Sequence, residues 1–151
     1  MDGTPYVAVI GPGDASDPER AHAEVVGRQV AARGGVVVCG GLGGVMEAAA
    51  HGASSVGGVV VGILPGRERA DANPYVTVAL TTGMGEMRNA LVVRAADVVV
   101  AVGGAYGTLS EIAFALRTDV PVVGIGTWAI DGIIEAPDPE TAVEVAWELA
   151  T

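Results

Sequence analysis

The chain contains no lysine; all eight of its basic residues are arginine. Without lysine there is no P-loop GK[ST] residue to reach a nucleotide's terminal phosphates. Nor is there an amine to carry a pyridoxal Schiff base. A single cysteine, Cys39, excludes an internal disulfide and fits a reducing, cytoplasmic setting. Aromatic residues make up only 4% of the chain, so Val, Ala, Ile and Leu must build the core. No apolar run approaches the roughly 18 residues of a membrane span. The opening stretch MDGTPYVAVIG lacks a basic region, and its apolar run is too short for a signal peptide. Positive charge is scarce, with a formal net charge of −10, which argues against a nucleic-acid or acidic-membrane footprint. An anion could be held only by locally arranged backbone amides and a few arginines.

What the sequence does have is valine, alanine and glycine. Valine-rich runs alternating with alanine-rich segments point to buried parallel strands wrapped by helices. The pattern predicts strands at 6–10, 36–39, 59–64, 76–80, 97–102 and 122–125, with a short seventh at 133–136. Helices fit 18–33, 45–56, 86–95, 109–118 and 139–150. The first opens on Ser16-Asp17-Pro18-Glu19, a capping box with proline in the first turn, and Gly34 supplies its stop. The expected architecture is one Rossmann-like α/β domain over residues 1–151, a doubly wound parallel sheet of six to seven strands with right-handed crossovers.

The glycines concentrate where strands lead into helices: Gly11 and Gly13, then Gly40, Gly41, Gly43 and Gly44, then Gly66, Gly83, Gly85, Gly103, Gly104, Gly107 and Gly126. In a parallel sheet all these loops share the carboxyl rim, where open α/β folds bind ligands. Glycine there lets amides approach an anion, and each following helix N-terminus adds partial positive charge. A single such loop can be a mere turn; four on one rim point to a phosphate-bearing ligand. The G-x-G-x-x-G fingerprint is broken in both GPGDAS (11–16) and GLGGVM (41–46), and VVVCG ends without a ribose-binding acid. A mononucleotide or another molecule with a single phosphate therefore fits better than NAD or FAD. The expected ligand-binding set is Gly11, Gly13, Gly40, Gly41, Gly43, Gly44, Gly103, Gly104, Ala105, Tyr106, Gly107 and Thr108.

Arg88 falls in the first turn of the helix after the fourth strand, where the helix dipole disfavours a cation. A structural role for it therefore needs a partner, which a bound anion or a carboxylate would provide. Glu111 falls near the start of the helix after the fifth strand. With those strands as neighbours, Arg88 and Glu111 would flank the glycine loop as a candidate catalytic pair. A second reading of Glu111 stays open, because Thr108-Leu109-Ser110-Glu111 matches the T-x-x-E capping box. Asp97 reads as a strand start and Arg94 as a surface charge. His22 and His51 have helical settings without metal-ligand spacing, and Cys39 reads as core. The polar loop GRERADANPY, residues 66–75, is expected either to close over the ligand with Arg67 or Arg69 on a phosphate, or to be a solvated surface loop.

Three segments together, CGGLGGVMEAAAHGA, VGILPG and MRNALVVRAADVVVAVGGAYGTLSEIA, resemble the Lonely Guy-type superfamily. That group contains cytokinin-activating phosphoribohydrolases, long mislabelled lysine decarboxylases, and molybdenum-cofactor carrier proteins. The similarity runs from about Tyr6 to Ile125. In the hydrolases the pattern is M-H-x-R-K followed by P-G-G-x-G-T-x-x-E, which aligns its arginine with Arg88, its threonine with Thr108 and its glutamate with Glu111. The resemblance implies a glycine loop holding a 5′-phosphate, with Glu111 on the ribose activating water at C1′ and Arg88 orienting that carboxylate. Such a site would release free base and ribose 5-phosphate from a nucleoside 5′-monophosphate. This chain departs from the pattern at Gly103 (proline), Ala105 (second glycine), Glu86 (histidine) and Asn89 (lysine). Alanine at 105 would cost about 1–2 kcal/mol if the turn needs a left-handed residue there. The sequence is closer to the carrier-like branch, whose members bind a phosphorylated pterin without turning it over. The expectation is a binder of a nucleotide monophosphate or molybdopterin-type ligand with no required cofactor and no metal. The alternative is a phosphoribohydrolase. The resemblance also implies a homodimer or homotetramer, in which Trp128 and Trp147 could be buried.

Overall fold

The computed structural model describes residues 3–151. Seven strands form one sheet: β1 (Tyr6–Ile10), β2 (Val36–Cys39), β3 (Val60–Leu64), β4 (Val78–Thr81), β5 (Val98–Val102), β6 (Val122–Ile125) and β7 (Ile134–Glu135). They lie in the order β4-β3-β2-β1-β5-β6-β7, and every pair is parallel. Their valines alternate between two faces, and each face has its own cover. Helices α1 (Asp17–Ala32), α2 (Val45–Ser54) and α5 (Pro139–Ala150) pack on Val7, Val9, Val37, Val60, Val100 and Val123. Helices α3 (Arg88–Arg94) and α4 (Tyr106–Arg117) pack on the opposite face around Ala8, Ile10, Val99 and Val122. The chain is thus a Rossmann-like, doubly wound α/β fold. Its largest fully buried side chains are Ile10, Leu64 and Ile112, followed by valines, as an aromatic-poor composition requires.

Local chemistry explains the elements that position the rim. Ser16 Oγ accepts the Glu19 amide (3.2 Å) while Glu19 Oε1 accepts the Ser16 amide (2.8 Å), so the expected capping box starts α1. Gly34, at φ +83°, follows the C-cap Arg33. Helices α1 and α2 touch backbone to backbone: a side chain at Gly27 would strike the Ala49 carbonyl, and one at Gly52 the Glu24 carbonyl. Asp97 lies just before β5, where its Oδ2 accepts the Tyr6 amide (2.8 Å) and ties the start of β1 to β5.

Three expectations change. The strands before the Arg88 and Glu111 helices are not neighbours: β4 is an edge strand, and β3, β2 and β1 separate it from β5. Helix α4 begins at Tyr106 rather than 109, because Gly107 is tolerated in a first turn whose amides lack helical partners anyway. The segment 86–95 splits into a 3-10 turn, Gly85–Met87, and the short helix α3. Among the described residues no helix is long and apolar enough to cross a membrane.

Candidate functional site

Strand β1 hands the chain to α1 on one face of the sheet, while its neighbour β5 hands it to α4 on the other. This is the switch point at which open α/β sheets form a crevice. A cavity of about 180 Å³ lies there, lined by Gly11, Pro12 and Gly13 of the first loop, Gly40 and Met46 of the second, and Ala105, Gly107, Thr108 and Glu111 of the third, above Val9 and Ile10. The first hydrogen bond of α4 runs from the Leu109 amide to the Ala105 carbonyl (2.9 Å). The amides of Tyr106, Gly107 and Thr108 therefore precede the helical ladder and lack helical acceptors, as an anion-binding N-terminus requires.

Two buried polar groups face this cavity without protein partners. Thr108 is 2% exposed, and its Oγ1 makes no hydrogen bond. Glu111, 8% exposed, lies one turn further along α4 on the same side. The capping-box reading fails. The N-cap is Ala105, Thr108 is already inside the helix, and no side chain caps this end. Burial pushes the Glu111 carboxyl up to about 8, against an opposing pull from the Arg88 charge. At neutral pH Glu111 therefore holds its proton and can donate a hydrogen bond.

Arg88 is buried at the start of α3, but its donors are largely committed. Nε donates to the Ile63 carbonyl (2.9 Å), Nη2 to the Gly40 carbonyl (3.3 Å) and Nη1 to Asn89 Oδ1. It binds the carboxyl ends of β2 and β3 to the start of α3, and this is how a residue following the edge strand reaches the centre of the rim. Arg88 and Glu111 form no direct ion pair. They interact through space, and the guanidinium supplies positive charge behind Gly40. Burial lowers the Arg88 pKa, and the Glu111 carboxylate works against that. Cys39, at the end of β2, is buried, which pushes its thiol up to about 11; it is core.

Of the expected set, Gly11, Gly13, Gly40, Ala105, Gly107, Thr108 and Glu111 line the cavity. Gly41, Gly43, Gly44, Gly103, Gly104 and Tyr106 do not. Gly44, the N-cap of α2 at φ +65°, packs on the Pro12 carbonyl, where no side chain fits. Gly103, at φ +67°, lies against the Glu19 carboxylate. Ala105 has extended backbone, φ −129° and ψ 179°, so alanine there carries no left-handed penalty. The loop 66–75 is anchored at Asn73, whose amide donates to the Gly41 carbonyl (2.8 Å) and whose Nδ2 donates to the Leu42 carbonyl (3.0 Å), while residues 67–71 are exposed. Neither Arg67 nor Arg69 lines the cavity. Pro12 and Met46 were missed, because an apolar side chain between glycines carries no chemical signal of its own.

Comparison with known proteins identifies the family and the fold. A family model described as the SLOG cluster4 family matches residues 4–148. An uncharacterised protein of Archaeoglobus fulgidus is 42% identical over 138 residues, covering 91% of this chain and 91% of the relative. The molybdenum cofactor binding protein of the phototrophic bacterium Rippkaea orientalis superposes with a TM-score of 0.93 at 32% identity, covering 98% of each chain. The molybdenum cofactor carrier protein of Chlamydomonas reinhardtii gives 0.89 at 31% identity, covering 97% of this chain and 98% of its own. The chain belongs to the SLOG cluster4 family.

Proposed function

We propose that the protein binds a phosphorylated, nucleotide-like small molecule, a mononucleotide or a phosphopterin such as the molybdenum cofactor, at the crevice between β1 and β5. The observation that carries this reading is Thr108 Oγ1, fully buried without a hydrogen-bond partner at a cavity that Glu111 also lines, beside the free amides at the start of α4. A buried polar group without a partner costs about 1–3 kcal/mol, and a ligand oxygen at this cavity that accepts from Thr108 offsets that cost while its neighbour meets the Glu111 carboxyl. The phosphate sits on the amides of Gly107 and Thr108 and accepts from the Thr108 hydroxyl. Neutral Glu111 does not repel it, and Arg88 adds positive charge to a site within a chain of net charge −10. The similar structures bind or carry molybdenum cofactor, which supports a cofactor-sized cargo. The cavity, at about 180 Å³, takes a phosphate and its first attachment; the remainder of such a ligand extends beyond it.

The test is thermal unfolding with inorganic phosphate, ribose 5-phosphate, AMP and GMP. A ligand at 100 times its dissociation constant adds about 2.7 kcal/mol to stability. No shift with any of them would sink the reading. The second reading, phosphoribohydrolase, is favoured by the unpartnered Glu111 carboxyl alone, since Arg88 is spent on carbonyl groups. Incubation of the protein with AMP decides it: free adenine and ribose 5-phosphate, lost in Glu111→Gln, would establish turnover.

A further inference from the structure

Tyr106 opens α4 but does not line the cavity at the switch point. It is 84% exposed, in a chain where aromatics are only 4% of residues. Met87, at the end of the 3-10 turn before α3, is 73% exposed. Both line a cleft of about 380 Å³ together with Glu86, Asn89, Gly107 and Ser110. Gly107 also lines the cavity at the switch point, so the cleft and the cavity adjoin at that residue.

The walls of the cleft are fixed. The Tyr106 ring stacks on Trp128, with centroids 6.2 Å apart and planes 25° from parallel. Trp128 is anchored by its Nε1–H, which donates to the Ala105 carbonyl (3.1 Å). On the other side, Asn89 Nδ2 donates to Ser110 Oγ (3.2 Å), and Ser110 Oγ donates to the Gly107 carbonyl (2.7 Å). Asn89 Oδ1 in turn accepts from Arg88. The result is a held aromatic ring facing a flexible thioether across a polar floor, one residue from the anion-binding amides.

We propose that this cleft is the subsite for the planar heteroaromatic part of the ligand, which stacks on Tyr106 under Met87 while the phosphate occupies the first turn of α4. The inference rests on the reading under Proposed function and extends it to the ligand's other end. The charge distribution separates the two ends. The Glu86 carboxylate at the cleft repels a second anion but accepts hydrogen bonds from ring N–H and amino groups, so the favoured ring is one bearing such donors, as guanine does. Rings of every kind have a face to stack, and sulfur adapts to their edges.

The experiment measures the affinities of GMP and ribose 5-phosphate, by calorimetry, for the wild type, Tyr106→Ala, Tyr106→Phe and Glu86→Gln. Wild type is expected to bind GMP roughly ten-fold or more tightly than ribose 5-phosphate, the scale of one base–aromatic stack. Tyr106→Ala should remove most of that advantage and leave ribose 5-phosphate unchanged, whereas Tyr106→Phe retains it. Glu86→Gln should weaken GMP without affecting ribose 5-phosphate. Equal affinities of GMP and ribose 5-phosphate in wild type, or an equal loss of both in Tyr106→Ala, would overturn the subsite while leaving the phosphate site standing. Failure of every phosphate compound to bind wild type overturns both. Loss of self-association in Tyr106→Ala, with the GMP-to-ribose 5-phosphate ratio intact, would assign the ring to contact with a second copy and also overturn the subsite.

Discussion

A glutamic acid held neutral at the wall of a rim cavity has consequences that single-residue experiments can read. In the unfolded chain Glu111 titrates near its ordinary 4.5, and in the folded chain at about 8. Between those values only the folded chain holds the proton, so stability falls as pH rises, by at most about 1.4 kcal/mol per unit, and the fall ends above the folded value. Arg88 and Cys39, the other titratable groups coupled to Glu111, keep their protonation state across this window, so the change belongs to Glu111. Glu111→Gln, which mimics the neutral acid, should match the wild type near pH 4.5 and exceed it by about 3–5 kcal/mol above pH 8. Urea denaturation of both proteins at the two pH values measures it, and a constant difference between them would refute the buried neutral acid. The residues carrying this chemistry were visible in the sequence as types and spacings. Their partners were not. Arg88 needed a partner on dipole grounds, for which the sequence offered a bound anion or a carboxylate, and the fold supplies two main-chain carbonyls whose position depends on where β2 and β3 end in space.

Between residue and fold, the decisive element is the start of α4. The string GGAYGTLSE allows a helix from Tyr106 or from 109, and glycine's low helix propensity favours the later start. The earlier start leaves the amides of 106–108 free of helical partners and moves Glu111 from cap to cavity wall, so three residues of helix boundary decide what faces the cavity. Strand identities were legible because valine runs bounded by glycine leave little choice. The sheet order was not, and with it went the expected adjacency of the strands before Arg88 and Glu111. The rim glycines likewise divide by geometry that composition hides. At Gly44, φ is +65° and ψ −129°, and a side chain would press on Pro12 and Gly13 main-chain atoms. Gly13 has nothing within 4 Å of where a side chain would project. Gly44→Ala should therefore cost about 2 kcal/mol or more, and Gly13→Ala less than about 0.5 kcal/mol. Thermal unfolding of the two variants measures the contrast; equal effects would mean that the first two rim loops do not pack as described.

At the scale of the molecule, the two edges of the sheet are unequally protected. Edge strands with free hydrogen-bonding groups invite pairing unless they are short, charged or covered. Strand β7 is two residues long and ends in Glu135. Strand β4, by contrast, carries no charge and leaves Val78 44% and Leu80 48% exposed. Both pair with β3 residues on the face that α3 covers, Val78 beside Val61 and Leu80 beside Ile63. Helix α3 has only seven residues and stops short of the edge, leaving Leu91 exposed as well. The homodimer or homotetramer implied by the family resemblance would cover this margin with a second copy. A net charge of −10 per chain sets copies against one another, and added salt screens that repulsion over about 10 Å at 0.1 M while leaving apolar contact intact. Association should therefore strengthen with salt. Light scattering is expected to give wild type a multiple of the 15.0 kDa chain mass, and Leu80→Lys, which places a charge in the contact, the mass of one chain with thermal stability retained. A wild type that stays at one chain mass in high salt, or a Leu80→Lys variant that assembles as before, would show that this edge faces water.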